Sequence, residues 1–137
     1  MQGTVRALFV TPEKKAKPVQ LEQVRVSSGG FDGDFHATVS TRRQILMLSG
    51  SILNEFNLQP GSLYENMIVD GFDVMSLSFG QQLRVGDAVL EVTMPCEPCV
   101  QMDRVRNGLK SALDGKRGMF ARVVTTGAIR VGDPVTG

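Results

Sequence analysis

Residues 83–94 read LRVGDAVLEVTM. The run is rich in aliphatic and β-branched side chains, and Gly86–Asp87 interrupts it with a turn signal, so it reads as strand, turn, strand. An echo follows at 129–135, where IRVGDPV matches LRVGDAV at five of seven positions. Two copies read as a repeated hairpin or as pseudo-symmetric corners of a barrel. Gly-Asp turns of this kind are structural, so neither copy is assigned a ligand.

Working outward, further short runs rich in Val, Ile and Phe lie at 3–10, 22–27, 67–70 and 119–125, separated by Gly-Gly, Asp-Gly and Pro-Gly turns. Many short strands with glycine-bearing turns point to a β-barrel or sandwich. Residues 41–57, TRRQILMLSGSILNEFN, break the pattern. Ile45, Leu48, Ile52, Leu53 and Phe56 follow helical spacing, and Thr41 with Gln44 forms a capping box, so a helix is expected to start at Thr41. Gly50 should weaken that helix by about 1 kcal/mol relative to Ala. A poorer helix is expected over 102–114, interrupted at Gly108. The expected architecture is a mainly β domain with one or two α-helices, occupying residues 1–137 as a single domain.

Fifteen basic and fourteen acidic side chains give a net charge of +1, so bulk charge draws the chain neither to nucleic acid nor to a membrane. Any anion site must come from local clustering. The N-terminal apolar run is too short for a secretory leader, and no stretch approaches the roughly 18 apolar residues of a membrane span. The expected address is the cytoplasm, where thiols stay reduced. A disulfide between Cys96 and Cys99 is disfavoured there, and its small loop would remove little unfolded-state entropy.

Those two cysteines sit in MPCEPCVQMD, residues 94–103. A closed zinc site takes four Cys or His ligands, and the chain offers only Cys96, Cys99 and His36. A thioredoxin-type pair needs a helix N-terminus in a βαβ setting, which is not the pattern here. Two buried structural thiols are the plain alternative. Pro95 and Pro98 stiffen the turn, however, so a thiol displayed from it is positioned; nearby cations would raise its thiolate fraction. That favours a nucleophile or a soft-metal ligand. The loop GGFDGDFH, 29–36, ends in the chain's one histidine. Its glycines would let backbone approach a ligand that Asp34 and His36 face, or else its carboxylates simply solvate a turn. Arg42 and Arg43, expected in the first helical turn, oppose the helix dipole unless they hold an anion with the amides there. Lys116 and Arg117 form a second basic spot.

Taken in order, GFDGDFHA (30–37), RRQILML (42–48), PGSLYENM (60–67), LSFGQQLRVGDAVLEVT (77–93), PCEPCVQMD (95–103) and RGMFARVVTTGAIRVGDPV (117–135) resemble the MOSC domain, named for the C-terminal part of molybdenum cofactor sulfurases. The resemblance implies a β-barrel of strongly bent strands. It also implies molybdenum cofactor (molybdopterin) binding, tight or transient, or sulfur handling from a persulfide donor. A cysteine is the chemical centre, which ligates molybdenum in one branch and carries sulfur in another. The family pattern falls on Pro98, Cys99 and Met102, making Cys99 the implied metal ligand and catalytic thiol, with Cys96 a resolving or second thiol. Asp34 and His36 are the implied catalytic partners. His36 would transfer a proton or orient the ligand, and Asp34 would fix the loop. Arg43, Arg117, Arg42 and Asn66 are the implied cofactor-binding residues; Asn66 follows Glu65 in the family's Glu-Asn motif. The position between Asp34 and His36, often basic in relatives, is Phe35, which removes one phosphate contact.

With no pyridoxal-phosphate sulfurase domain, the chain would take sulfur from a partner. Two other functions compete: a small molybdenum-dependent reductase of N-hydroxylated compounds, fed electrons by a partner, and a non-catalytic module docking on a molybdoenzyme or sulfurtransferase. Neither nucleic acid nor membrane is an expected partner.

Overall fold

Alternating apolar residues give each strand two faces with different destinations. The computed structural model describes residues 2–38 and 40–137, with the backbone alone at Thr38. In β1 (Gln2–Val10), Val5, Leu8 and Val10 join one buried cluster, whereas Ala7 and Phe9 join another. A register shift between Val5 and Ala7 accounts for the step of three within the inward set.

The chain continues through β2 (Val19–Leu21), β3 (Gln23–Ser27), β4 (Gly30–Phe31) and a 3-10 turn at Phe35–Thr38. Next come β5 (Ile45–Ser49), α1 (Gly50–Phe56), β6 (Met67–Asp70) and a second 3-10 turn at Val74–Ser76. The strands β7 (Gln82–Val85) and β8 (Ala88–Pro95) precede α2 (Met102–Val105) and α3 (Leu109–Ala112). The chain ends with β9 (Met119–Thr125), β10 (Gly127–Arg130) and β11 (Pro134–Thr136).

Seven strands close a barrel in the order β1-β11-β7-β8-β9-β5-β6, and β6 returns to β1. Closure depends on β11, which pairs with β1 at Gln2–Thr4 and with β7 at Val85 and Arg84. A small antiparallel sheet, β10-β3-β4, stands beside it. Mainly β architecture with a barrel is what the strand-and-turn pattern predicts.

The expected helix over 41–57 is corrected. Its first half is β5, buried on both faces; Ile45 and Met47 point into the barrel and Leu48 into the outer cluster. A strand covered on both sides is apolar throughout, and with a helix directly after it the combined run mimics helical periodicity. The capping box does not form. Gln44 Oε1 accepts the Val123 N–H at 2.8 Å, and α1 starts after Ser49. A crossover is needed there, because β5 and β6 run parallel and a tight hairpin cannot join parallel strands. The second expected helix is present in two pieces, α2 and α3, divided at Gly108 with φ +85°.

The two RVGD copies diverge. LRVGDAV is the β7–β8 hairpin, whereas IRVGDPV carries the chain from β10 in the small sheet to β11 in the barrel. They also meet: a side chain on Gly86 would run into the Asp133 carboxylate and lie 2.8 Å from the Ala128 carbonyl oxygen.

Candidate functional site

Strand β8 delivers the cysteine turn. Pro95 is its last residue, opposite Met119 of β9, and the Cys96 N–H donates to the Gly118 carbonyl at 2.9 Å, extending the ladder one step. Beyond that bond the chain leaves the sheet. The Cys99 carbonyl accepts the Met102 N–H at 2.9 Å, which starts the turn into α2. The stiff turn is thus anchored at both ends. Both thiols are free; Cys96 is half-buried and Cys99 exposed.

Cys96 lines two clefts. The larger, about 520 Å³ and open, includes Met75, Pro98, Lys110 and Asp114. The smaller, about 340 Å³, adds Arg43, Met94 and Phe120, and Pro95 and Glu97 border both. Burial pushes the Cys96 thiol above the usual cysteine range. The Arg117 and Arg43 charges pull the other way, and Cys99 and Glu97 add to the rise. Cys99 lines neither cleft.

The expected basic residues separate. Arg43 is exposed and lines the smaller cleft. Arg117 is 5% exposed; its Nη2 donates to the Leu63 carbonyl at 2.5 Å, while Nη1 is buried without a hydrogen-bond partner among the described residues. Arg42 is exposed and lines neither thiol cleft, and its carbonyl accepts the Thr93 hydroxyl. Both Arg42 and Arg43 precede a strand, so the helix-amide argument for an anion there is withdrawn. Lys116 pairs with Glu55 at 3.1 Å on the surface, apart from its buried neighbour Arg117.

Asp34 and His36 form a dyad. Asp34 Oδ1 accepts the Thr11 N–H at 2.7 Å; Oδ2 accepts the His36 N–H at 3.1 Å and lies 2.8 Å from His36 Nδ1. The histidine ring stacks at 4.0 Å on Phe35 and meets Phe120, a wall of the smaller cleft, edge-on at 6.1 Å. Phe35 therefore packs against the imidazole.

Asn66 belongs to the frame. It is 1% exposed, its Oδ1 accepts the Leu46 N–H at 2.9 Å, and its Nδ2 donates to the Phe9 carbonyl at 3.2 Å. Glu65, also buried, accepts the Gly61 and Leu63 N–H groups; burial raises its pKa, against those bonds and the Arg117 charge. The cleft walls Met94 and Phe120 were not singled out from the sequence, because in strand runs such residues read as core. Among the described residues no group of three or more His, Cys, Asp or Glu is placed to hold a metal, so Cys96, Cys99 and His36 do not gather into one centre.

A model of the MOSC domain matches residues 34–136. Among solved structures, the YuaD protein from Bacillus subtilis superposes with a TM-score of 0.83 at 23% identity, covering 98% of this chain and 94% of that one. YiiM from Geobacillus stearothermophilus gives a TM-score of 0.80 at 19% identity, over 98% of this chain and 74% of that one. YiiM from Escherichia coli gives 0.72 at 18%, over 96% and 68%. These likenesses establish the fold. No curated protein matches the chain.

Proposed function

Because the chain belongs to the MOSC domain family, we propose that it binds molybdenum cofactor, or accepts sulfur destined for it, with Cys99 as the acting thiol. One observation carries this reading: Arg117 Nη1, buried and without a hydrogen-bond partner among the described residues, belongs to a guanidinium whose charge acts on Cys96, three positions before Cys99 in the same turn. The Glu65 carboxyl already meets this charge, and the unused donor leaves room for a further anionic contact.

The residues fit the cofactor's needs. Its phosphate calls for cations, and Arg43 and Arg117 offer them from the surface and the interior, with planar donor geometry that Lys lacks. Its metal arrives already held by an organic ligand, so a single thiolate suffices. This agrees with the lack, among the described residues, of a protein-built metal cluster. When bound, the cofactor supplies redox chemistry at a thiophilic metal. The chain's own part is to present Cys99 on a turn anchored at Cys96 N and Met102 N. The Asp34–His36 pair steadies Phe120 in the wall of the smaller cleft and provides a proton acceptor near it.

For sulfur transfer, the Cys99 thiolate attacks the outer sulfur of a donor persulfide. A new S–S bond forms at Cys99, the donor's S–S bond breaks, and the donor leaves as its thiolate. The exposure of Cys99 and of its neighbour Val100, at 66%, favours a bulky donor such as a sulfurtransferase. A reducing cytoplasm would keep both thiols free for this exchange.

The test is equilibrium binding of molybdenum cofactor, supplied by a carrier protein, to wild type, Cys99→Ser and Cys96→Ser, with thermal melts to verify folding. Loss of binding in folded Cys99→Ser, by tenfold or more, is the expected result. Should all three proteins bind equally, neither thiol is a ligand. If wild type binds nothing, persulfide transfer to Cys99, read by mass spectrometry, decides whether sulfur acceptance survives.

A further inference from the structure

Away from the thiol clefts, two backbone outliers share one concavity. Among the described residues, three that are not glycine have positive φ: Lys15 at 70°, Asn57 at 51° and Tyr64 at 59°. Asn57 is explained, since it is the left-handed C-cap of α1. Lys15 and Tyr64 stand in turns where glycine would be unstrained. Both line a cleft of about 270 Å³ that also includes Ser62, Gln101 and Arg104. Side chains held at a conformational cost, and gathered in one place, suggest that the side chains themselves are wanted there.

Their chemistry is one-sided. Lys15 and Arg104 are cations in no ion pair among the described residues. Ser62 Oγ is buried and makes no hydrogen bond among the described residues. Tyr64 and Gln101 add further donors, and no carboxylate lines the cleft. By contrast, Glu97 borders both thiol clefts and Asp114 the larger one. In sequence, Cys99 falls between Pro98, which lines the larger thiol cleft, and Gln101, which lines this one.

We infer that this cleft is an oxyanion subsite for a phosphate group, held by Arg104 and Lys15 with Ser62 and Tyr64 as hydroxyl donors. Two cations and several neutral donors match a tetrahedral dianion. The volume exceeds that of one phosphate, so Met102 and Val105 can flank a small organic body carrying it. The subsite shares no lining residue with the Cys96 clefts and does not depend on the cofactor reading.

The experiment is titration of the full chain with inorganic phosphate, and separately with phenyl phosphate, at low ionic strength, followed by amide NMR shifts. Saturable binding with shifts at 62–64 and 101–105 is expected. Arg104→Gln should weaken it about tenfold, the loss of one charge-assisted contact. Arg25→Gln, an equal charge change on the exposed face of β3, should leave it unchanged. Equal affinity for both probes marks a site for free phosphate, and tighter phenyl phosphate marks a site for esters; either supports the subsite. Non-saturable shifts, shifts centred on Arg43 and Cys96, or equal weakening by Arg104→Gln and Arg25→Gln overturn it. Thermal melts of both variants check folding, and cofactor binding through Cys99 stands or falls separately.

Discussion

Arg43 and Arg117 act on the same thiol from opposite surroundings, one at an exposed rim and the other in the interior. A guanidinium loses far more hydration in the second place, so Arg117 is the residue for which an incoming anion matters most. Burial also separates the two cysteines. Because the Cys96 pKa is raised, its thiolate fraction at neutral pH falls below that of an ordinary cysteine and grows only above the usual thiol range. Iodoacetamide at neutral pH is therefore expected to modify exposed Cys99 first. Cys96 labelling should rise late as pH increases, as read by peptide mass mapping. Labelling of Cys96 ahead of Cys99 would contradict the assigned roles. The residue types of this site were legible in the sequence, but their division of labour was not. Arg42 and Arg43 are adjacent in the chain, yet only Arg43 lines a thiol cleft, while Asn66 is consumed by backbone bonds to Leu46 and Phe9.

At the level of elements, Gly50 changes meaning. Helix propensity alone marks it as a weakness, and Ala there should gain about 1 kcal/mol. In the fold it starts α1 beneath the Arg6–Asp70 ion pair, where an added Cβ would meet Asp70 Oδ1 and lie 2.6 Å from Arg6 Cζ. Both are the ends of flexible side chains, Arg6 35% and Asp70 41% exposed, which can swing aside at the cost of a surface ion pair of about 0–1 kcal/mol. The helix gain is offset, so Gly50→Ala should be close to neutral in urea unfolding. Combining it with Asp70→Ala should cost less than the sum of the single changes, because the clash and the ion pair are coupled. Strands bounded by turn residues were legible, among them β3 and the β7–β8 hairpin, and also β1 and β6, which are buried on both faces. Strands β2, β4 and β11, two or three residues long, lack enough chain for a period to appear. Strand β5 was misread because α1 follows it directly, and the combined apolar run mimics helical periodicity.

Across the whole molecule, the barrel is closed by its last strand. Val135 of β11 is fully buried, and β11 hydrogen-bonds to both β1 and β7. Removing residues 134–137 leaves both strands with unpaired edges and opens the core. The shortened chain should lose its cooperative thermal transition, as followed by circular dichroism, and a retained sharp melt would show that closure is dispensable. Local chemistry settles in advance that the chain is mainly β, that its turns fall at glycines, and that its two thiols sit in a proline-stiffened turn. Those properties depend on neighbours in sequence, where propensity and side-chain pattern act directly. Tertiary structure alone decides that IRVGDPV is a corner while LRVGDAV is a hairpin, and that the buried Arg117 charge acts on Cys96. It also brings Lys15, Ser62, Tyr64 and Arg104 to one cleft. Such facts arise from pairings between residues far apart in the chain, and local patterns carry no term for those contacts.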